Sequence, residues 1–139
     1  MKRKGLQYGA LPFRRPTSEQ IEILLISSLE THRWVIPKGW PKPGEEHEAA
    51  VREAFEEAGL MGAVSSSPLG SYEYSKLGRR GRPRTCRVSV HLFRVFTEAD
   101  NWPEMDRRER LWLPIEHAAM HVAEEELRNL IFRVPSAIL

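Results

Sequence analysis

Cysteine is nearly absent from this sequence, since Cys86 is the only one in 139 residues, and no disulfide can form within the chain. A single cysteine is typical of proteins in a reducing compartment. No apolar run is long enough to cross a bilayer, because the longest, residues 21–26, includes Glu22. The basic residues 1–10 lack the apolar core of a secretion signal. We therefore expect a cytoplasmic protein without a membrane partner.

The chain also lacks a strong excess of either charge. Its formal net charge is +2 and its pI is about 8.9, which is below the strongly basic footprint of dedicated nucleic-acid-binding proteins. The most basic segment, residues 76–87, offers few aromatic side chains for stacking on bases. Both features argue against a nucleic-acid partner. Hydrophobic residues at 41% and charged residues at 29% fit one soluble globular domain over residues 1–139.

Hydrophobic patterning predicts both strands and helices. Strands are predicted within residues 6–13 (ending at Pro12), 21–29, 34–37, 85–96 and 111–114. Residues 62–77 are predicted to form an extended arm, and loops or turns are predicted over residues 38–46, 78–84 and 97–110. Helices are predicted from Glu45 or Glu46 to Ala58, over residues 114–122 with Pro114 in the first turn, and over residues 123–134.

The first predicted helix, which contains "VREAFEEAGL", has two distinct faces. At 3.6 residues per turn its acidic sector consists of Glu53, Glu56 and Glu57. Arg52 lies beside Glu56, and Gly59 is placed to cap the C-terminus. The opposite, apolar side consists of Ala50, Val51, Ala54, Phe55 and Ala58. The acidic sector fits either a solvated face or a binding site for a hard divalent cation.

The glycine-rich and proline-rich loop before this helix favours the metal site. The segment "GWPKPGEEHEAAVREAFEEAGL", residues 39–60, resembles the Nudix box of the Nudix hydrolase family. That motif has a glycine, five residues, a glutamate, seven residues and then R-E-U-x-E-E-x-G-U, where U is a bulky aliphatic residue. The positions that match are Gly39, Glu45, Arg52, Glu53, Glu56, Glu57, Gly59 and Leu60. Two positions depart from it, since six residues follow Glu45 and the first U is Ala54.

The resemblance implies a fold, a metal site and a reaction. The fold would be α/β, a Nudix-type α/β/α sandwich with a central mixed β-sheet. Nudix proteins are typically hydrolases of a diphosphate linked to another group, and they use Mg²⁺, with Mn²⁺ as a possible substitute. Carried over, the metal ligands would be Glu53, Glu56, Glu57 and the carbonyl of Gly39. Glu53 could instead act as a base, and Arg52 would hold the glutamates in place.

Many Nudix enzymes use a further glutamate from a later loop as a base or ligand. Glu109, in "RRERLW", is the first candidate for this catalytic role, and Glu98 is the second. The alternative for each is a solvated acid on a loop, which is the more common case for such residues.

Basic residues suggest the class of substrate. The candidate substrate-binding residues are Lys38, Arg79, Arg80, Arg82 and Arg84. Arginine pairs well with phosphate oxygens, so a phosphorylated small molecule is the expected partner, although a solvated basic turn would look the same. The loop and the basic segment also resemble the diphosphoinositol polyphosphate phosphohydrolase branch. A Nudix-fold module that binds a phosphorylated ligand without cleaving it is the alternative, but the intact glutamates favour an enzyme.

Overall fold

The computed structural model describes residues 6–16, 20–77 and 81–138, and it contains a mixed β-sheet covered by helices on both faces. The strands are β1 (Leu6–Arg14), β2 (Glu22–Ser27), β3 (Trp34–Val35), β4 (Lys38–Gly39), β5 (Leu60–Val64), β6 (Gly70–Leu77), β7 (Pro83–Glu98) and β8 (Arg110–Pro114). The helices are α1 (Glu48–Ala58), α2 (Ile115–His121) and α3 (Glu125–Ala137). None of these helices is long and apolar enough to span a bilayer.

Strands β1 and β7 form the centre of the sheet and run parallel, with Leu6 opposite Arg87 and Phe13 opposite Arg94. The main path through the sheet is β3-β2-β1-β7-β5, and β4, β6 and β8 pair with β1, β7 and β2 respectively. All pairings other than β1 with β7 are antiparallel. The predicted mixed sheet is therefore confirmed.

Two hydrophobic layers lie on opposite faces of this sheet. Leu24 and Ile26 of β2 point to the layer of α1, whereas Ile23 and Leu25 point to the layer of α2 and α3. This alternation follows from the two-residue period of a strand. Both faces of β2 are buried, which explains why residues 23–26 within it are continuously apolar. The predicted α/β/α sandwich is confirmed.

The structure corrects two boundaries near β1. The prediction that Pro12 ends the first strand is wrong, because β1 continues to Arg14. The backbone N–H of Ala10 donates to the Pro37 carbonyl, on the side of β1 where β4 lies. The nitrogen of Pro12 faces the same side, at a point between the residues of β1 that pair with β4 and those that pair with β2. The missing N–H of Pro12 therefore removes no ladder bond. Residues 38–46, predicted to be entirely loop, begin with the short strand β4.

Other boundaries shift by a few residues. The extended arm consists of two strands, β5 and β6, and β7 begins at Pro83, inside the predicted turn. Helix α1 starts later than predicted, after a turn in which the Glu45 amide donates to the Lys42 carbonyl. Its C-terminal cap is Gly59 at φ +70°, as predicted. Pro114 ends β8 and precedes α2, so it is not in the first turn of that helix.

Candidate functional site

Helix α1 presents its acidic sector at the edge of the layer that it forms on the sheet. Ala50, Ala54 and Ala58 are fully buried, and their small side chains let the helix approach the strands closely. Glu57 follows Ala50 by two turns on the same line of the helix surface, so it is 7% exposed. The prediction that Phe55 belongs to the apolar side is wrong, because Phe55 lies further round the helix and is exposed.

Arg52 ties the acidic sector to the loop before α1. Its Nη1 group donates to Glu53 Oε2 at 2.9 Å and lies 3.9 Å from Glu56 Oε1. Its Nη2 group donates to Glu45 Oε1 at 2.8 Å and to the carbonyl of Trp40 at 3.1 Å, and Nε donates to Glu45 Oε2. Arg52 therefore joins Glu53 and Glu56, two of the three glutamates of the acidic sector, to the loop.

Glu57 is the most buried carboxylate of the sector. Its Oε1 accepts the backbone N–H of Lys38 at 3.3 Å, and its Oε2 lies 3.6 Å from Nη2 of Arg108. Burial raises the pKa of Glu57 to about 8, the adjacent Glu53 carboxylate acts in the same direction, and Arg108 opposes both. Glu57 is thus the least solvated of the three carboxylates on α1.

Gly39 lies directly against the acidic sector. A Cβ atom at this position would overlap the Glu53 carboxylate, so any other residue here would displace that carboxylate from its present position. Gly39 is held in place by β4, where it pairs with Tyr8 of β1. The sheet therefore brings the Gly39 backbone and the Glu53 carboxylate together, as the predicted metal site requires.

Divalent cations with a preference for oxygen fit this set of donors. One helix face supplies three carboxylates, from Glu53, Glu56 and Glu57, beside the backbone of Gly39. Within residues 6–16, 20–77 and 81–138, however, no three acidic, histidine or cysteine side chains converge as a ready-made metal cluster. Like charges repel, and each carboxylate is paired with an arginine instead. The ligand types fit, and small side-chain movements would be needed to gather them.

A cavity of about 280 Å³ opens beside Glu57. Lys38, Lys76 and Arg108 supply positive charge to its wall, and Tyr74 supplies an aromatic face. The ammonium group of Lys38 lies 4.7 Å from the centre of the Tyr74 ring. Burial lowers the pKa of Lys38, although Glu57 acts in the opposite direction. Three glutamates line the same cavity, Glu30, Glu57 and Glu124, so its wall carries both signs of charge. The predicted substrate-binding residue Lys38 is one of its cations.

The basic segment reaches the same region through β6 and β7. Lys76 on β6 lies opposite Arg84 on β7 in the strand register. The Arg84 guanidinium lies 5.8 Å from the centre of the Trp40 ring, in the loop before α1. Arg82 and Arg84 are exposed. The predicted residues Arg79 and Arg80 lie outside the described residues. Arg84 is thus brought to the edge of the site.

The later glutamates have different environments. The amide of Glu109 donates to Ser27 Oγ, its side chain is exposed, and no hydrogen bond or ion pair among the described residues joins that side chain to α1. Glu98 pairs with Arg14 and Arg110. Glu104, which the sequence analysis missed, lies closer to α1, since its amide donates to the Glu56 carbonyl at 3.0 Å. Only its position in a polar loop could have suggested it.

Arg108 is the main residue that the sequence analysis did not identify. It contacts Glu57, Glu104 at 2.8 Å and the carbonyl of Ser27 at 3.0 Å, and its side chain is only 10% exposed. The run "DRRER" marks a basic stretch, but no local pattern separates a buried arginine from its exposed neighbour Arg107.

Cys86 and His91 belong to the core. Cys86 is fully buried on β7. His91 is 2% exposed, bonds to the Ser65 carbonyl and to Ser89, and stacks on His47. These contacts fit structural rather than ligand-binding side chains.

Comparison with known proteins agrees with this architecture. A family model described as "NUDIX domain" matches residues 6–134. Nudix hydrolase 12, mitochondrial, from Arabidopsis thaliana is 36% identical over 79% of this chain and 62% of that protein. Diphosphoinositol polyphosphate phosphohydrolase 3-beta from Bos taurus is also 36% identical, over 79% of this chain and 64% of that protein. The chain thus spans less than two thirds of the length of these relatives.

Among solved structures, the crystal structure of C. elegans Ap4A hydrolase superposes with a TM-score of 0.67. The superposition covers 99% of this chain and 100% of that one, at 20% sequence identity. At this identity the likeness supports the fold, and the substrate must be argued from the site itself.

Proposed function

This chain belongs to the NUDIX domain family, and we propose that it is a Mg²⁺-dependent pyrophosphohydrolase that cleaves a diphosphate linkage in a phosphorylated small molecule. One observation carries the proposal: the carboxylates of α1 lie beside a cavity whose wall contains Lys38, Lys76 and Arg108. Anionic groups for a cation and cationic groups for a phosphate are thus adjacent.

Nudix hydrolases generally use divalent metals, and this proposal assigns the metal to Glu53, Glu56, Glu57 and the carbonyl of Gly39. Mg²⁺ is favoured because it prefers carboxylate oxygens and bridges to phosphates, and Mn²⁺ could replace it. When bound, the ion would neutralise charge on the phosphate oxygens and acidify a water molecule. Arg52 would keep Glu53 and Glu56 directed toward one side of the helix through its contacts with both.

Substrate phosphates would be bound by the cationic wall of the cavity. Lys38 is held over Tyr74, so its ammonium group is already in place. Lys76 and Arg108 line the same space, and Arg84 extends the positive charge outward. Arg79, Arg80 and Arg82 belong to the same basic segment and are assigned to the substrate on its composition. Trp40, beneath Arg84, offers a ring for a base or sugar.

Two substrate classes fit such a site: a nucleoside diphosphate linked to another group, and a diphosphoinositol polyphosphate. The relative from Bos taurus is named for the second class, and it supports that choice. The wall carries Arg33, Lys38, Lys76 and Arg108 beside three glutamates, so phosphate groups of the substrate would bind at the cationic part of the wall. Glu109 is proposed as the general base from the later loop, acting on the attacking water.

We also expect the protein to act in the cytoplasm, although the plant relative is named mitochondrial.

The experiment is a turnover assay with Mg²⁺ against a diphosphoinositol phosphate, diadenosine polyphosphates, ADP-ribose and nucleoside triphosphates. Glu57→Gln removes a proposed ligand, and Glu46→Gln removes one negative charge from an exposed residue before the helix. Cleavage of one class by the native protein and the Glu46 variant, but not by the Glu57 variant, is the expected result. Folded native protein that binds these ligands but cleaves none would instead establish a binding module.

A further inference from the structure

Arg108 is held by two short contacts and one longer contact. Nε donates to Glu104 Oε1 at 2.8 Å, and Nη1 donates to the Ser27 carbonyl at 3.0 Å. Nη2 lies 3.6 Å from Glu57 Oε2, beyond ordinary hydrogen-bond length. The first two contacts fix the direction of the guanidinium group, so Nη2 is the part that can change partner without moving the side chain.

Glu57 has two competing uses in this site. Its Oε2 is the oxygen nearest to Arg108, and the same carboxylate is a proposed ligand of the divalent cation. A cation that takes this oxygen weakens its attraction for Nη2. Both side chains are only 10% exposed, so an Nη2 group that lost the attraction of this carboxylate would be a buried charge without a counter-charge, which is costly. Arg108 would then need another anion within reach.

The cavity supplies the place for that anion. Glu57 and Arg108 both line it, together with Lys38 and Lys76. On the basis of the proposed metal site, we propose that Arg108 couples the two binding events. Its Nη2 group pairs with Glu57 while no cation is bound, and it donates to a substrate phosphate once the cation has taken the Glu57 carboxylate.

This coupling differs from that of an ordinary phosphate-binding arginine in one measurable way. An arginine that only binds phosphate contributes equally to phosphate affinity with and without the cation. Under the exchange, Arg108 contributes little to phosphate affinity without the cation and much with it, because Glu57 occupies it in the first state. Linkage requires the same factor to appear in the affinity for the cation.

The test measures binding of methylenediphosphonate, a diphosphate analogue without a hydrolysable bridge, by calorimetry. Titrations are run in EDTA and in saturating Mg²⁺, with free concentrations corrected for the complex of Mg²⁺ with the analogue. The variants are Arg108→Gln, Arg108→Lys and Arg107→Gln. The last removes the same charge from an exposed neighbouring residue, which controls for the general field of the protein.

We expect Arg108→Gln to weaken analogue binding less than about twofold in EDTA and about tenfold or more in Mg²⁺, the loss typical of one charge-assisted hydrogen bond. Arg107→Gln should change both affinities equally and slightly. Arg108→Lys keeps the charge but cannot make the three contacts of the guanidinium group at once. Its loss of affinity for the analogue should therefore differ less between EDTA and Mg²⁺. It serves as the test if the glutamine variant does not fold.

An equal loss in EDTA and in Mg²⁺ would overturn the exchange and leave Arg108 as a plain phosphate ligand, with the proposed function intact. No loss in either condition would also overturn it. Absence of Mg²⁺ binding to the native protein, measured by calorimetry without the analogue, would overturn the metal site of the proposed function, and the exchange would fail with it.

Discussion

Glu45 accepts two hydrogen bonds from the guanidinium group of Arg52, from Nε at 3.2 Å and from Nη2 at 2.8 Å. The spacing between these residues is one shorter than in the family motif. A tight turn accommodates it, in which Glu45 donates its amide to the Lys42 carbonyl and accepts the Lys42 amide on its carboxylate. Glu45 is thus a partner of Arg52, which in turn contacts Glu53 and Glu56 on the acidic face of α1.

We expect this pair to stabilise the protein only where Glu45 is ionised. The bond from Arg52 lowers the pKa of Glu45 to about 2, below its ordinary value. A folded-state pKa below the unfolded value adds stability above the unfolded value, and this stability is lost as the pH falls through about 2. Native protein should therefore be more stable than Glu45→Gln at pH 6, with the difference shrinking toward pH 2. Urea unfolding at several pH values measures it, and a difference that is independent of pH would contradict the ion pair.

Glu57 should give the opposite dependence. Burial raises its pKa to about 8, so its contribution is favourable below the unfolded-state pKa and is lost progressively as the pH rises from there to about 8. In EDTA, Glu57→Gln should therefore gain thermal stability relative to native protein between pH 5 and pH 8. In Mg²⁺ the native protein should become the more stable of the two, since only it has the Glu57 carboxylate as a proposed ligand. Equal gains in the thermal stability of both proteins on addition of Mg²⁺ would show that Glu57 does not bind the cation.

Sequence periodicity was enough to predict α1 and its acidic face, because Glu53, Glu56 and Glu57 recur with the helical period. It could not predict the pairing of Glu57 with Arg108, which depends on how a distant loop packs against the helix. The strand β4 was missed for a related reason, since two residues carry no periodicity and its pairing is set by β1.

Gly39→Ala tests the close approach of the Gly39 backbone to Glu53 on α1. The added methyl group would overlap the Glu53 carboxylate and push it aside. We expect metal affinity to fall about tenfold or more, as when a group that orients a ligand is disturbed. Calorimetry with Mn²⁺ measures the affinity, and circular dichroism checks that the fold is kept. A folded variant with native affinity would show that metal binding does not depend on the close approach of Gly39 to Glu53.

The general base can be identified by comparing two glutamates of one loop. If Glu109 is the base, Glu109→Gln should lower kcat about 10²- to 10⁴-fold with little change in KM. Glu104→Gln should mainly affect stability and KM, because Glu104 holds Arg108. The decisive measurement is the pH profile of kcat/KM, in which loss of the base removes the acidic limb. A large loss of kcat in the Glu104 variant alone would assign the role to Glu104 instead.

Two arginines of β7 offer a matched test of the basic segment. Arg84 lies over the Trp40 ring at the edge of the site, whereas Arg87 is paired with Glu73 at 2.7 Å on the same hairpin. Both are exposed and carry the same charge. We expect Arg84→Gln to raise KM about two- to fivefold, as for an exposed ion pair, and to leave kcat unchanged. Arg87→Gln should leave both constants unchanged, because its partner is within the protein. Equal increases in KM would show that only the overall positive charge of the hairpin attracts the substrate, and raising the salt concentration should then abolish both effects.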